Sequence, residues 1–291
     1  MKSISARRLK RLPRALSQRS KALLGGREAS GFGPCVRFDP DAPRLILSPH
    51  CDDAVLSCWS VLTSSQEVAV VNVFTGSPQP GQAGVWEAVS GCADSAERAR
   101  GRIAEDAVAL ARAGRSARNL PLLDVSSRRR HPDLGLAAFD RALAAQLDSA
   151  SRVYAPAGIG RHVDHVLTRR YAQALAHAGM PVELYAELPY CVFHGWPPWV
   201  DGCAREPDRD VDAYWQSFLQ DVPEMPALEA GEVTRLQEPA IAAKLEALSC
   251  YRLSLNYAVK QLLANPLLGR FEVRWRLSPR GAFTPAHTDG R

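Results

Sequence analysis

Five short apolar runs, separated by segments with helical spacing, constrain this 291-residue chain more than any other feature. "RLILSPH" reads as a buried strand that ends in a turn, and "VLSCWSVLTSS" as the helix after it. "EVAVVNVFTG", "NLPLLDV", "SRVYAPAGIG" and "VELYAELPY" continue the strand series, interleaved with the helical stretches "ERARGRIAEDAVALARAG", "LGLAAFDRALAAQLD" and "HVDHVLTRRYAQALAHAG". Continuous apolar strands belong inside a parallel sheet, where both faces are covered. Strands alternating with helices of this length imply βαβ units, hence an α/β, Rossmann-like fold with a mostly parallel sheet and helices on both faces. Beyond Tyr190 the pattern loosens. Residues 191–230, rich in Pro, Asp and Trp, read as a lid-like insertion, and "EPAIAAKLEALSCYRLSLNYAVKQLLAN" and "RFEVRWRL" as a long helix and a closing strand.

At 46% hydrophobic and 23% charged residues the composition is that of an ordinary globular protein. No apolar run approaches the roughly 20 residues that span a bilayer. The seven cysteines are scattered and include no CxxC pair, so neither a zinc ribbon nor a secreted disulfide framework is expected, and a reducing cytoplasm is. The net charge of +5 comes from one end: nine Lys or Arg precede Glu28, leaving 27 basic against 30 acidic residues after it. Residues 1–29 are therefore expected to be a flexible basic tail and 30–291 a single domain. The tail lacks the apolar stretch of a secretory signal. Leu9, Leu12, Leu16, Leu23 and Leu24 would suit a short helix on an anionic membrane surface, although Pro13 interrupts it and a solvated tail is the simpler expectation. A slightly acidic body without a recognition module excludes nucleic acid as a partner.

In open α/β sheets, ligands bind beyond the carboxyl ends of the strands. Two such ends collect the metal-ligand chemistry of the sequence. "PHCDD" after the first strand supplies His50, Asp52 and Asp53; "GRHVDH" after the fourth supplies His162, Asp164 and His165. His162 and His165, at i and i+3, share one side of a helix start. Two histidines and a carboxylate suit Zn²⁺ with a position left open for water, and one carboxylate remains to accept a proton. Asp52 or Asp53 could instead merely cap a helix. Two such clusters at two strand ends are harder to explain as capping, provided that both stand in the expected strand–turn–helix context.

"SPHCDDAVLS" together with "GRHVDH" resembles the PIG-L/LmbE-like family of zinc-dependent N-deacetylases, whose signature is a P-H-x-D-D turn and a later H-x-D-H. "RIAED", "AELPY" and "KLEALSCYRLS" are similar to further segments of that family, so the resemblance spans about residues 43 to 256. It implies His50, Asp53 and His165 as zinc ligands and Asp52 as general base. His162 would polarise the substrate carbonyl or protonate the leaving amine, Asp164 would orient a histidine, and Arg102 would bind a sugar hydroxyl or phosphate. The commonest form of the first motif is P-H-P-D-D-E; Cys51 and Ala54 depart from it and resemble an H-x-D-D-A-V-L-S branch. Some members carry a tyrosine that assists the oxyanion where this chain has Gly160, so that duty must fall on zinc, His162 or another group.

The activity so implied is removal of an acetyl group from an N-acetylglucosaminyl-type conjugate, a soluble amino-sugar glycoside or a glycolipid, giving acetate and a free amine. Zn²⁺ is the implied cofactor, and Fe²⁺ fits the same shell. A zinc amidohydrolase acting on a non-sugar N-acyl amine is the alternative. A carbohydrate-binding protein with a relic metal site is the third reading, and the intact Asp52 argues against it. Trp196, Trp199, Tyr214 and Trp215 would either stack on sugar rings or pack their loop against the sheet.

Overall fold

Leu45, Ile46 and Leu47 are almost completely enclosed because their strand, β1 (Arg44–Ser48), runs through the middle of the sheet. The computed structural model describes residues 39–128, 134–147, 150–193, 195–200, 209–220, 222–253, 260, 262 and 264–278. Residues 1–29, expected as a basic tail, lie outside them. β1 pairs in parallel with β2 (Val68–Asn72) on one side and β4 (Arg152–Pro156) on the other. β3 (Ala117–Asn119) extends the β2 side and β5 (Val182–Tyr185) the β4 side, both parallel. β7 (Phe271–Arg276) and β6 (Glu232–Arg235) add an antiparallel edge, so the described sheet runs β3-β2-β1-β4-β5-β7-β6. The expected mostly parallel α/β fold is present. Strand order reverses between β1 and β4, and a crevice therefore opens at their carboxyl ends.

Eight α-helices cover the described sheet: α1 (Asp53–Ser57), α2 (Trp59–Leu62), α3 (Val85–Ser90), α4 (Ser95–Ala111), α5 (Leu136–Leu147), α6 (Val163–His177), α7 (Val211–Leu219) and α8 (Glu238–Leu248). None of the described helices is long and apolar enough to cross a membrane. The single helix expected after β1 is two, broken at Cys58. The reason is remote in sequence: Glu272 of β7 accepts the N–H groups of Trp59 at 2.7 Å and Ser60 at 2.9 Å and so takes over the start of α2. The long helix expected from Glu238 stops at Leu248. Glu105 of α4 accepts the N–H groups of Arg252 and Leu253, and Tyr251 donates to Asp106 at 2.6 Å, which turns the chain away from the helix axis.

Of "NLPLLDV" only its first residue, Asn119, is in a strand, the end of β3, and Pro121 makes only an isolated bridge to Phe74. Within the segment expected as a lid, Trp196 and Trp215 are buried against Trp275 and Phe271. Their indole N–H groups donate to Leu268 O and Cys191 O, so these two rings are core rather than a sugar-stacking wall.

Candidate active site

The turn after β1 is pinned from within. Ser48 Oγ donates to His50 O at 2.6 Å and accepts Ala54 N–H at 3.1 Å, and the His50 N–H donates to Asp53 Oδ2 at 2.8 Å. Asp52 stands at the N-cap of α1, yet its side chain makes no capping bond. After β4 the chain turns through Gly158 (φ +83°), Gly160 (φ +84°) and Arg161 (φ +57°) into α6, with His162 at its N-cap and Asp164 and His165 in its first turn. The left-handed φ at Gly158 favours glycine, and a Cβ there would also have to displace Arg169 Nη1, 2.6 Å away. Both clusters thus reach the same crevice.

Three donor atoms converge. His50 Nδ1 to Asp53 Oδ2, His165 Nε2 to Asp53 Oδ2 and His165 Nε2 to His50 Nδ1 are each 3.3 Å. Tetrahedral coordination at about 2.0–2.1 Å places neighbouring ligand atoms about 3.3–3.4 Å apart, so this triangle fits a divalent cation without rearrangement. His50, His162 and His165 also form a metal-competent group, their donor atoms all within 4.8 Å of one another. Each converging ring is aimed by its other nitrogen. His50 Nε2 meets Asp164 Oδ2 at 3.0 Å and His165 Nδ1 meets Glu187 Oε1 at 3.2 Å, so Nδ1 and Nε2 respectively are the nitrogens turned toward a cation.

Asp164 is held in turn by Arg128 Nη2 at 2.6 Å and by the Val125 N–H at 3.0 Å. Glu187 accepts the Gly158 N–H at 2.5 Å and the Ile159 N–H at 3.2 Å. Glu187 and Arg128 are supports the sequence reading did not single out. "AELPY" contains Glu187 within a family-like segment, and that was its only signal; Arg128 gave none.

Burial separates two kinds of residue. His50, Asp53 and His165 are buried, whereas Asp52 and His162 remain partly open. Burial would lower both His50 and His165, but the hydrogen bonds and charges of Asp164, Asp53 and Glu187 raise them to about 9 and about 10. Burial would raise Asp53 and Asp164; the imidazoles instead hold both carboxyls well below the usual range. Asp52 is pushed up by burial and by the Asp53 charge, against the pull of Arg102, whose Nη2 lies 3.8 Å from Asp52 Oδ2. Burial and the two neighbouring imidazoles lower His162 to about 3, so it is neutral, and its buried Nδ1 has no partner.

Arg102 and Cys51 connect this site to a narrow cleft whose wall also carries Arg98, Asp124, Ser126 and Ser127. A polar wall studded with hydroxyls, carboxylates and guanidinium groups suits a polyhydroxylated ligand rather than an apolar one.

The chain's fold matches that of the A40926 pseudoaglycone deacetylase, at 26% identity and a TM-score of 0.57 over 81% of this chain and 97% of that one. It also matches a deacetylase triple mutant of the teicoplanin biosynthetic pathway, at 24% identity and a TM-score of 0.60 over 82% and 99% of the two chains. A zinc-inhibited form of a teicoplanin deacetylase matches at 22% identity, with a TM-score of 0.60 over 82% and 99%. No curated protein matches the chain. A family model described as GlcNAc-PI de-N-acetylase covers residues 45–176, which begin in β1 before "SPHCDD" and end in α6 after "HVDH". Residues 45–176 of the chain are thus similar to the PIG-L family.

Proposed function

We propose that this protein is a metal-dependent hydrolase that removes the acetyl group from an N-acetylated amino sugar, releasing acetate and a free amine. One observation carries the reading: His50 Nδ1, Asp53 Oδ2 and His165 Nε2 meet at a cation-sized triangle, with the uncapped carboxylate of Asp52 beside it. The family description and the deacetylases among the structural neighbours support the same reaction. A divalent cation held by these three residues, Zn²⁺ or Fe²⁺, would supply Lewis acidity, lowering the pKa of a water to about 7 and polarising the amide carbonyl.

Around it the chain's own residues divide the work. Asp52, raised by burial and Asp53, takes the proton of the attacking water as the C–O bond forms at the acetyl carbon. When the C–N bond breaks, Asp52 returns that proton to the departing nitrogen. His162, neutral, donates an N–H to the acyl oxygen as charge develops there. Asp164 and Glu187 keep the two metal-facing imidazoles in their tautomers. Arg102 holds Asp52 from the cleft side and meets the sugar. The polar cleft favours a sugar over the alternative, a non-sugar N-acyl amine. Free thiols at Cys51, Cys58, Cys92, Cys191 and Cys250 support a cytoplasmic setting.

The test is an acetate-release screen over N-acetylated amino-sugar conjugates and non-sugar N-acyl amines, with metal analysis of the protein used. Turnover on the sugars that a chelator abolishes and added Zn²⁺ or Fe²⁺ restores is the expected result. Asp52→Asn should lower kcat by about 10²- to 10⁴-fold with metal retained. A rate within a few fold of wild type removes Asp52 as the base.

A further inference from the structure

We infer that Tyr190 is a further catalytic residue of this site, donating its phenolic hydrogen to the acyl oxygen of the bound substrate; the inference rests on the deacetylase reading above. Tyr190 follows β5, far from both histidine turns in sequence, yet its ring stands against them. It meets the His165 ring edge-on at 5.4 Å between centroids and lies 6.2 Å from the His162 ring.

The ring occupies a place that a side chain at position 160 would need. A Cβ on Gly160 would lie 3.0 Å from Tyr190 Cδ1, 3.1 Å from its Cβ and 3.2 Å from its Cγ. The left-handed turn at Gly160 (φ +84°) therefore lets an aromatic group from a different segment approach the histidines. Phe193 packs against the ring at 5.8 Å, and the Tyr214 hydroxyl donates to the Tyr190 carbonyl at 3.3 Å, which together fix its position.

The phenol itself is left over. Tyr190 is only partly buried, and its hydroxyl makes no hydrogen bond with the described residues. The charged groups that act on it are Asp53, one of the three converging ligands, and Asp52, Glu187 and Arg102 of the same site. A neutral phenol beside a metal-competent histidine pair is a donor waiting for an acceptor. The acyl oxygen, which gains negative charge as water attacks, is the acceptor that the proposed reaction brings to this place. Tyr190 and the neutral His162 would then approach that oxygen from two elements, one after β5 and one after β4.

Tyr190→Phe separates this from a packing role, because it keeps the ring and removes only the hydroxyl. Wild type and variant, loaded with the same metal, are compared on the best N-acetylated amino sugar of the screen. The expected result is a kcat about 10²-fold lower, with KM within twofold, metal stoichiometry unchanged and the melting temperature unchanged. A kcat within twofold of wild type, or a loss confined to KM, overturns the proposal.

A second measurement needs no turnover: affinity for the methylphosphonamidate of glucosamine, a tetrahedral mimic of the attacked amide. Tyr190→Phe should bind it at least tenfold more weakly than wild type and bind glucosamine equally well. Equal affinity for the mimic overturns Tyr190 alone. If wild type releases no acetate from any sugar yet binds the mimic tenfold better than the variant, the deacetylase reading falls and the phenol's place at the site stands. A wild type that neither turns over nor binds the mimic overturns both.

Discussion

His50 donates through Nε2 to Asp164 Oδ2 over 3.0 Å, and that bond turns Nδ1 of the same ring toward Asp53 and His165. Asp164 is fully buried and is itself held by Arg128 and the Val125 N–H, so it cannot follow the ring if the ring rotates. Asp164→Ala removes both the steering bond and an anion behind the ligand. Metal affinity should fall about 10- to 100-fold. Competition against a chromophoric chelator reads this directly, and an unchanged affinity would mean that Asp53 and His165 alone hold the ring.

Proton release should accompany metal binding. Without metal, the surrounding carboxylates raise His50 to about 9 and His165 to about 10, so both imidazoles carry protons at neutral pH that a cation must displace. Apparent affinity should therefore climb with pH, about tenfold per unit for each proton displaced, and level off above about pH 9 to 10. Titration calorimetry in two buffers of different ionisation enthalpy counts the protons; a flat profile would contradict the geometry. The same shifts stabilise the metal-free fold. Both folded values lie above the ordinary 6.5, so that stabilisation is complete below about pH 6.5 and is lost as pH rises through about 9 and then 10.

Asp106 carries a cost at neutral pH. Burial raises its carboxyl to about 6, against the hydrogen bonds of Tyr251 and Asn72. A folded value above the unfolded 3.8 means that the folded state holds its proton more tightly. Stability from this group is full below about pH 4 and declines as pH rises to about 6, by on the order of 3 kcal/mol. In urea unfolding of the wild type and Asp106→Asn between pH 4 and 7, the difference between the two proteins should carry that slope. Parallel curves would place the titration elsewhere.

Lys244 and Glu272 form an ion pair of 2.9 Å with both side chains fully buried. Glu272 also accepts the Trp59 and Ser60 N–H groups and the Ser60 hydroxyl, so its charge serves the start of α2 as well as the lysine. Lys244→Met leaves that carboxylate buried without its counter-charge and should destabilise the protein by about 3–5 kcal/mol. Chemical unfolding measures it. A loss under 1 kcal/mol would show that the amides and the hydroxyl of Ser60 suffice.

The candidate site was legible where it is local. His50, Asp52 and Asp53 sit within one turn, as do His162, Asp164 and His165, and a strand end followed by a helix start fixes where such turns point. The chain hides what supports them. Glu187 meets His165 across 22 residues of sequence and Arg128 meets Asp164 across 36, and no local pattern marks either carboxylate or guanidinium as a partner. β6 was unreadable for another reason: "EVTR" is an edge strand with mostly exposed side chains, so it lacks the apolar alternation that announces a strand.

By itself, then, the amino-acid sequence determined the class of fold and the two motifs, because aliphatic runs choose buried parallel strands and short-range spacing sets which side chains share a turn. Tertiary structure decided the rest. Whether β1 and β4 are neighbours, where α2 and α8 begin and end, whether Trp196 and Trp215 face a ligand or the core, and that Tyr190 lies over Gly160 all depend on contacts between distant segments. Such contacts are won by burial and by satisfying buried charges, and those forces act only once the chain has closed upon itself.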